Sequence, residues 1–179
     1  MLDPIDVIRE YSSKAKRVFR VKCPVTITVG KLYAPSAFSR ENRVFMLGDW
    51  WMLARRFEEE EHIPFAILVS GSFHEMYHVY EWYYGYRRDE DRATRIGFRA
   101  AIKAVKQKYG IDIDERDVEH FHNLTEEAHE QEHKEKFYET AVLIVDFAKI
   151  GLPILIMEYV KLDPDLSKTL TTISLAGEG

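Results

Sequence analysis

The sequence predicts an α+β fold that is predominantly helical, with a small β-sheet before one long central helix. The order of the elements along the chain, a helix, then strands, then helices, is typical of that class. Two short runs with strand-like composition, Val25–Val29 and Arg43–Leu47, precede the apolar stretch Pro64–Tyr86. We find no internal repeat and no long linker, so we expect a single domain over 1–179, with 123–162 as a C-terminal helical extension.

Local signals set the predicted boundaries in the first part of the chain. Asp3 and Pro4 are typical of a helix N-cap followed by a first-turn proline, and Gly30 ends the first strand. Asp49 can cap the helix that follows the second strand. The predicted elements are a helix over 4–19, strands over 25–29 and 43–47, and a helix over 50–61.

Two glycines, which are suited to a left-handed turn, mark predicted helix ends in the second part of the chain. Gly85 ends the central helix and Gly110 ends the next one, which is predicted over 89–109. Residues 111–117 are predicted to form a turn or short strand, followed by a short helical piece. A long, charged helix is then expected over 125–149, and the Ser/Thr/Gly-rich end of the chain is expected to be frayed or packed against a neighbour.

The composition and charge of the chain argue against a nucleic-acid partner, secretion and membrane association. A net charge of −5 gives no general attraction to nucleic acid, so no nucleic-acid partner is expected. The single Cys23 rules out an internal disulfide and fits a reducing compartment, and Met1–Glu10 does not resemble a secretory signal, so we expect a cytoplasmic protein. Ala141–Val160 is interrupted by charges and by a break at 151–153, which indicates two buried helical segments and no membrane association.

The pentapeptide His74-Glu75-Met76-Tyr77-His78 matches the pattern H-E-x-x-H. Residues four apart on a helix lie about 40° from each other, so His74 and His78 can hold one metal ion between them. Glu75, about 100° around the axis from His74, is placed for a carboxylate that acts on a water molecule. The flanking residues 63–80 contain no Lys or Arg, which indicates a buried helix in which two histidines need a partner.

A zinc site of this kind needs a third protein ligand. Glu81 shares the helical face of His74, but it lies about 10 Å further along the axis, too far for one tetrahedral ion. The next helix offers Glu90, on the same face as its small residues Ala93 and Gly97, which allow another helix to approach closely. We therefore predict that His74, His78 and Glu90 bind Zn²⁺.

The pattern His74-Glu75-x-x-His78 followed by Glu90-x-x-Ala93-Thr94-x-x-Gly97 resembles the gluzincin metallopeptidases, most closely small ones of the ImmA/IrrE type. The resemblance covers roughly residues 20–105 and implies a zincin-like fold, a peptide or protein substrate and an edge strand at Arg43–Leu47 that pairs with it. The chain departs from that family at Thr94, where an Asp or Asn is usual. It also has a short gap between His78 and Glu90 and no helix-turn-helix module.

The activity that the resemblance implies is peptide-bond hydrolysis. Zinc would activate a water molecule, and Glu75 would take its proton as general base and deliver it to the leaving amine. A donor for the developing oxyanion is expected as well. The candidates for that donor, which the sequence does not rank, are Tyr84, Tyr86, His120 and His122.

Two other function classes remain open at the level of sequence. Glu–His pairs three residues apart recur at 59/62, 75/78, 126/129 and 130/133, and a ferritin-like di-iron carboxylate protein uses two such pairs with two more glutamates. We expect His129 and His133 to lie on a solvated helix face instead. The other class is a catalytically inactive interaction protein that keeps a zincin fold.

Overall fold

The computed structural model describes residues 2–29, 36–39, 44–47, 57, 60–133 and 171–175. Most of this part of the chain lies in the four helices α1 (Pro4–Val18), α2 (His62–Tyr84), α3 (Glu90–Tyr109) and α4 (Glu115–His133). None of the described helices combines the length and the apolar character needed to cross a lipid bilayer.

The predicted α+β class, with a small β-sheet before the central helix, is wrong as a description of the fold, because helices make up most of the described body and the strands before α2 are only short paired segments. The helices are 15 to 23 residues long. The extended segments are only four or five residues long. The central helix α2 packs most extensively against α3 and α1. The strand-like composition of 25–29 and 43–47 predicted an extended backbone in these two segments. Composition does not determine which elements pack around the central helix.

The extended segments are β1 (Val25–Val29), β2 (Ser36–Ser39), β3 (Val44–Leu47) and β4 (Thr171–Leu175), paired in the order β2-β3-β1-β4. In this pairing β3 runs parallel to β1 and antiparallel to β2. The prediction that Arg43–Leu47 forms an edge strand open to substrate is therefore wrong, since both sides of β3 are paired. The C-terminal segment β4 pairs with the other side of β1, which no local sequence signal indicated.

The predicted limits of the first three helices agree with the structure to within a few residues. Asp3 caps α1, with its Oδ1 accepting a hydrogen bond from the Ile5 backbone N–H at 2.8 Å. Asp89 caps α3 in the same way, and its Oδ1 accepts from Arg92 N–H at 3.0 Å. Gly85 and Gly110 end α2 and α3 with φ of 74° and 71°, the left-handed conformation that glycine adopts without strain.

The fourth helix differs from the prediction. Instead of a turn or strand over 111–117 and a separate helix from 125, α4 begins at Glu115 and continues to His133. Asp114 provides the start, because its Oδ1 accepts hydrogen bonds from Arg116 N–H at 2.7 Å and Asp117 N–H at 3.1 Å. The helix predicted over 50–61 and the segments over 134–162 fall largely outside the described residues.

Helix α1 covers one side of α2 with apolar and aromatic contacts. Ile8 and Ala15 of α1 are fully buried. Tyr11 meets Phe65 edge to face with ring centroids 5.5 Å apart, and Phe19 makes the same kind of contact with Tyr77 at 5.6 Å. This packing buries the side of α2 that carries Phe65 and Tyr77.

Helix α3 approaches α2 through small residues. Ala93, Gly97, Ala101 and Ala104 are buried on this face. A Cβ atom added at Gly97 would lie 2.7 Å from the Ser70 carbonyl oxygen and 2.9 Å from its Oγ. The backbones of α2 and α3 are therefore in close contact at this crossing. Small residues on a helix face allow such an approach.

We expect Gly97→Ala to destabilise the protein by about 1 to 3 kcal/mol, because the new methyl group meets backbone that cannot move aside. Elsewhere in a helix the same change stabilises by up to about 1 kcal/mol. Equilibrium urea unfolding measures the effect. Gln107→Ala, on the exposed side of α3, is the control and should change stability by less than about 0.5 kcal/mol. Equal stability of Gly97→Ala and the wild type would contradict the close approach.

Candidate metal centre

The two histidines of the motif lie one turn apart on α2 and direct their Nε2 atoms at the same point. These atoms are 3.1 Å apart, and the ring planes are nearly perpendicular at 83°. The His78 side chain is 1% exposed and the His74 side chain 22%, so the pair lies at the edge of the interior and one ring reaches solvent. The helical spacing predicted from the sequence produces this convergence.

Glu90 joins the pair from the first residue of α3. Its Oε2 lies 3.1 Å from His78 Nε2 and 3.4 Å from His74 Nε2. Arg88 forms an ion pair with the other carboxylate oxygen, Oε1. The carboxylate is therefore held so that one oxygen faces the histidines, and the three side chains that the sequence selected lie together.

The spacing of the three donor atoms matches that of metal ligands. Zinc holds nitrogen and oxygen donors at about 2.0 to 2.1 Å in a tetrahedron, whose donor-to-donor edges are then about 3.3 to 3.4 Å. The observed separations of 3.1, 3.1 and 3.4 Å are close to these edges. Among the described residues this is one group of His, Cys, Asp and Glu side chains that could hold an ion. The spacing of these three side chains fits a zinc ion, and their role as metal ligands stays a prediction.

The second ring nitrogen of His78 contacts a buried carboxylate that the sequence analysis considered only as a ligand. His78 Nδ1 lies 2.8 Å from Glu81 Oε2, and Glu81 is 3% exposed. The other oxygen, Oε1, accepts a hydrogen bond from the Asp89 backbone N–H at 2.9 Å. The i, i+3 spacing of His78 and Glu81 was the sequence signal for this contact, because such residues are neighbours on a helix.

The second ring nitrogen of His74 has a weaker partner. Thr94 Oγ1 lies 3.5 Å from His74 Nδ1, at the limit of hydrogen-bond distance. Thr94 is the position at which the sequence departs from the gluzincin pattern. A hydroxyl can donate or accept, so this contact does not select one tautomer of His74.

Electrostatics favour a neutral histidine facing an ionised carboxylate. Burial and the nearby His78 together lower the pKa of His74 to about 4, so His74 is neutral at pH 7. Burial opposes ionisation of Glu90, but the neighbouring His78 and Arg88 outweigh it, and its pKa lies below the usual value. A neutral imidazole and a carboxylate are the forms in which these groups bind metal ions.

Glu75, the predicted general base, follows His74 directly and is 2% exposed. It lies in a helix without Lys or Arg. Its place directly after His74 is that of the general base in the H-E-x-x-H pattern.

Of the four candidate oxyanion donors, His122 of α4 is the one whose pKa is lowered by His74. It stacks on Phe98 with ring centroids 5.7 Å apart, and burial, together with the nearby His74, lowers its pKa to about 4. The other candidates differ: His120 is exposed. Tyr84 donates to the Arg20 carbonyl at 2.9 Å, and with Tyr86 it lines a cavity of about 410 Å³ on the α1 side.

The pairs on which a di-iron site would depend receive no support from the described residues. The group of His74, His78 and Glu90 has one carboxylate, whereas a ferritin-like site uses four glutamates and two histidines. His129 and His133 lie in α4, but their side chains are outside the described part of the structure.

Comparison with known proteins finds no family model, curated protein or solved structure that matches the chain. The metal centre is thus inferred from the arrangement of its own residues, and the resemblance to gluzincins stays a prediction.

We expect the purified protein to bind about one zinc ion per chain and Glu90→Ala to weaken binding by more than about 100-fold, since it removes one of three ligands. Competition with a chromophoric chelator measures the affinity. Asp91→Ala removes the adjacent exposed carboxylate and should leave the affinity unchanged. Full zinc occupancy in Glu90→Ala would remove Glu90 from the ligand set.

We expect the free energy of unfolding of the metal-free protein to fall as the pH falls from about 6.5 to 4. A histidine has a pKa of about 6.5 in the unfolded chain. The pKa of buried His122 is about 4. The unfolded state therefore binds more protons in this window, which costs at most about 3 kcal/mol for one such group.

Urea unfolding of His122→Gln across this pH range checks the assignment. The variant cannot titrate at this position, so its stability should depend less on pH than that of the wild type. His120→Gln, at an exposed position, should retain the full pH dependence. The same pH dependence in His122→Gln and the wild type would show that His122 does not contribute.

Proposed function

We propose that the chain is a zinc-dependent peptidase in which His74, His78 and Glu90 hold the ion and Glu75 is the general base. The observation that carries this proposal is the convergence of three donor atoms, from two helices, at separations of 3.1 to 3.4 Å. With three protein ligands, a zinc ion would keep a fourth position for water or substrate, as catalytic zinc sites do.

Glu75 is the residue that favours zinc over iron as the bound ion. Two histidines and one carboxylate also suit non-haem iron, so the three ligands alone do not distinguish the two metals. Glu75 directly follows the first ligand and is buried beside it, and a general base in that place serves hydrolysis. Elemental analysis that finds iron in place of zinc would redirect the proposal to oxidation chemistry.

A zinc ion, when bound, supplies Lewis-acid activation of a water molecule and of the peptide carbonyl. Glu75 accepts the proton of the attacking water on its carboxylate and delivers it to the leaving amine. His122 donates an N–H to the developing oxyanion, which its burial strengthens because the local dielectric is low.

The substrate is a peptide segment that approaches from the Glu90 side of the cluster. The Glu90 side chain is 56% exposed and His74 reaches solvent, so this side of the site is open. The remainder of the site is enclosed by α2 and α3. An unfolded protein or a flexible loop can present a peptide bond there.

We expect Glu75→Gln to lower the hydrolysis of a fluorescently labelled unfolded protein by about 100-fold or more, since it removes the base and keeps the shape. Zinc content should stay at the wild-type level, because Glu75 is not a ligand. Glu119→Gln, an exposed change on α4, should hydrolyse as the wild type does.

Two outcomes would count against catalysis. Equal hydrolysis by Glu75→Gln and the wild type would disprove Glu75 as the base. A wild type that binds zinc but hydrolyses no unfolded protein would favour a metal-binding interaction protein with the same site.

A further inference from the structure

We infer that Glu81 is a positioning residue that presents His78 to the metal and joins it to the helix that carries Glu90. The inference rests on the metal site of the proposed function and adds to it the residue that controls its affinity. Glu81 is 3% exposed, and both of its carboxylate oxygens have partners within 2.9 Å. A buried carboxylate with two assigned partners has a defined orientation.

The first partner determines the tautomer of His78. A carboxylate only accepts hydrogen bonds, so the proton of His78 lies on Nδ1, which donates to Glu81 Oε2 at 2.8 Å. The lone pair is then on Nε2, the atom that faces His74 and Glu90 at 3.1 Å from each. Glu81 therefore keeps His78 in the form that binds a metal, as carboxylates behind ligand histidines do.

The second partner links the two helices that supply the ligands. Glu81 Oε1 accepts from the backbone N–H of Asp89, which is the N-cap of α3. Glu90 is the next residue, so the same carboxylate that orients one ligand also places the start of the helix that carries another. The turn between them is held by a further hydrogen bond, from Tyr86 N–H to the Glu81 carbonyl at 2.7 Å.

His74 has no equivalent support among the described residues. Its Nδ1 lies 3.5 Å from the Thr94 hydroxyl, a long contact to a group that can donate or accept. We therefore assign unequal roles to the two histidines: His78 is the anchored ligand, and His74 adjusts to the ion.

Replacing Glu81 by glutamine tests the role sharply, because the backbone determines which way the amide points. The Asp89 N–H can only donate, so the glutamine oxygen must face it and the NH₂ group must face His78. That NH₂ group donates to Nδ1, which forces the proton of His78 onto Nε2, the metal-binding atom. Glu81→Gln thus keeps both hydrogen bonds and the fold while it selects the wrong tautomer.

The experiment compares the wild type, Glu81→Gln and Thr94→Val. We expect Glu81→Gln to bind zinc 10- to 100-fold more weakly in competition with a chelator. Thr94→Val should change the affinity by less than about threefold, since its contact is long. Thermal unfolding of the metal-free proteins establishes that each variant is folded. In the ¹⁵N NMR spectrum of metal-free protein, His78 should carry its proton on Nδ1 in the wild type and on Nε2 in Glu81→Gln.

The outcomes separate this inference from the proposed function. Zinc affinity in Glu81→Gln equal to that of the wild type would overturn the role of Glu81 and leave the metal site standing. A wild type that binds no zinc would overturn the proposed function, and this role with it. If Glu81→Gln does not fold, the wild-type spectrum still decides, because His78 protonated on Nε2 would overturn the inference.

Discussion

The close approach of α3 to α2 is the constraint on which the candidate metal centre depends. At Gly97 the two backbones leave no space for a Cβ atom, which would lie 2.7 Å from the Ser70 carbonyl. This spacing brings the first turn of α3 alongside His74 and His78, so that Glu90 reaches both. Larger residues on this face would move the carboxylate away, and two inward-facing imidazoles would remain without a third donor.

The polar groups at this crossing form one connected network centred on His78. A buried carboxylate or histidine in an apolar helix is costly unless it is hydrogen-bonded or paired. Glu81 satisfies Nδ1 of His78 and the N–H of Asp89, while Arg88 pairs with the outer oxygen of Glu90. The network thus ties the end of α2 to the start of α3, and its ligand atoms all face the gap between them.

The sequence predicted the features that local chemistry determines and missed those that depend on distant contacts. Gly85 and Gly110 gave the ends of α2 and α3, helical spacing gave the convergence of His74 and His78, and the small-residue face of α3 gave Glu90. The pairing of β3 on both sides and the addition of 171–175 to β1 involve segments far apart in sequence, which local patterns do not encode. Glu81 lies too far along the helix to be a ligand, and ligand spacing alone does not indicate its contact with the opposite ring nitrogen of His78.

The atoms of His74, His78 and Glu90 that face one another carry too few protons to hydrogen-bond with each other completely, which favours a metal ion between them. In the tautomer inferred for His78, Nδ1 donates to Glu81 and Nε2 presents a lone pair, and the pKa of Glu90 lies below its usual value. His74 is neutral, since its pKa is about 4, and contributes at most one N–H. The three atoms His74 Nε2, His78 Nε2 and Glu90 Oε2 therefore share at most one proton. At least two of them face each other with their lone pairs at about 3 Å, without a proton between them. A dication placed between them would interact favourably with all three, which supports the proposal that this crossing binds a metal ion.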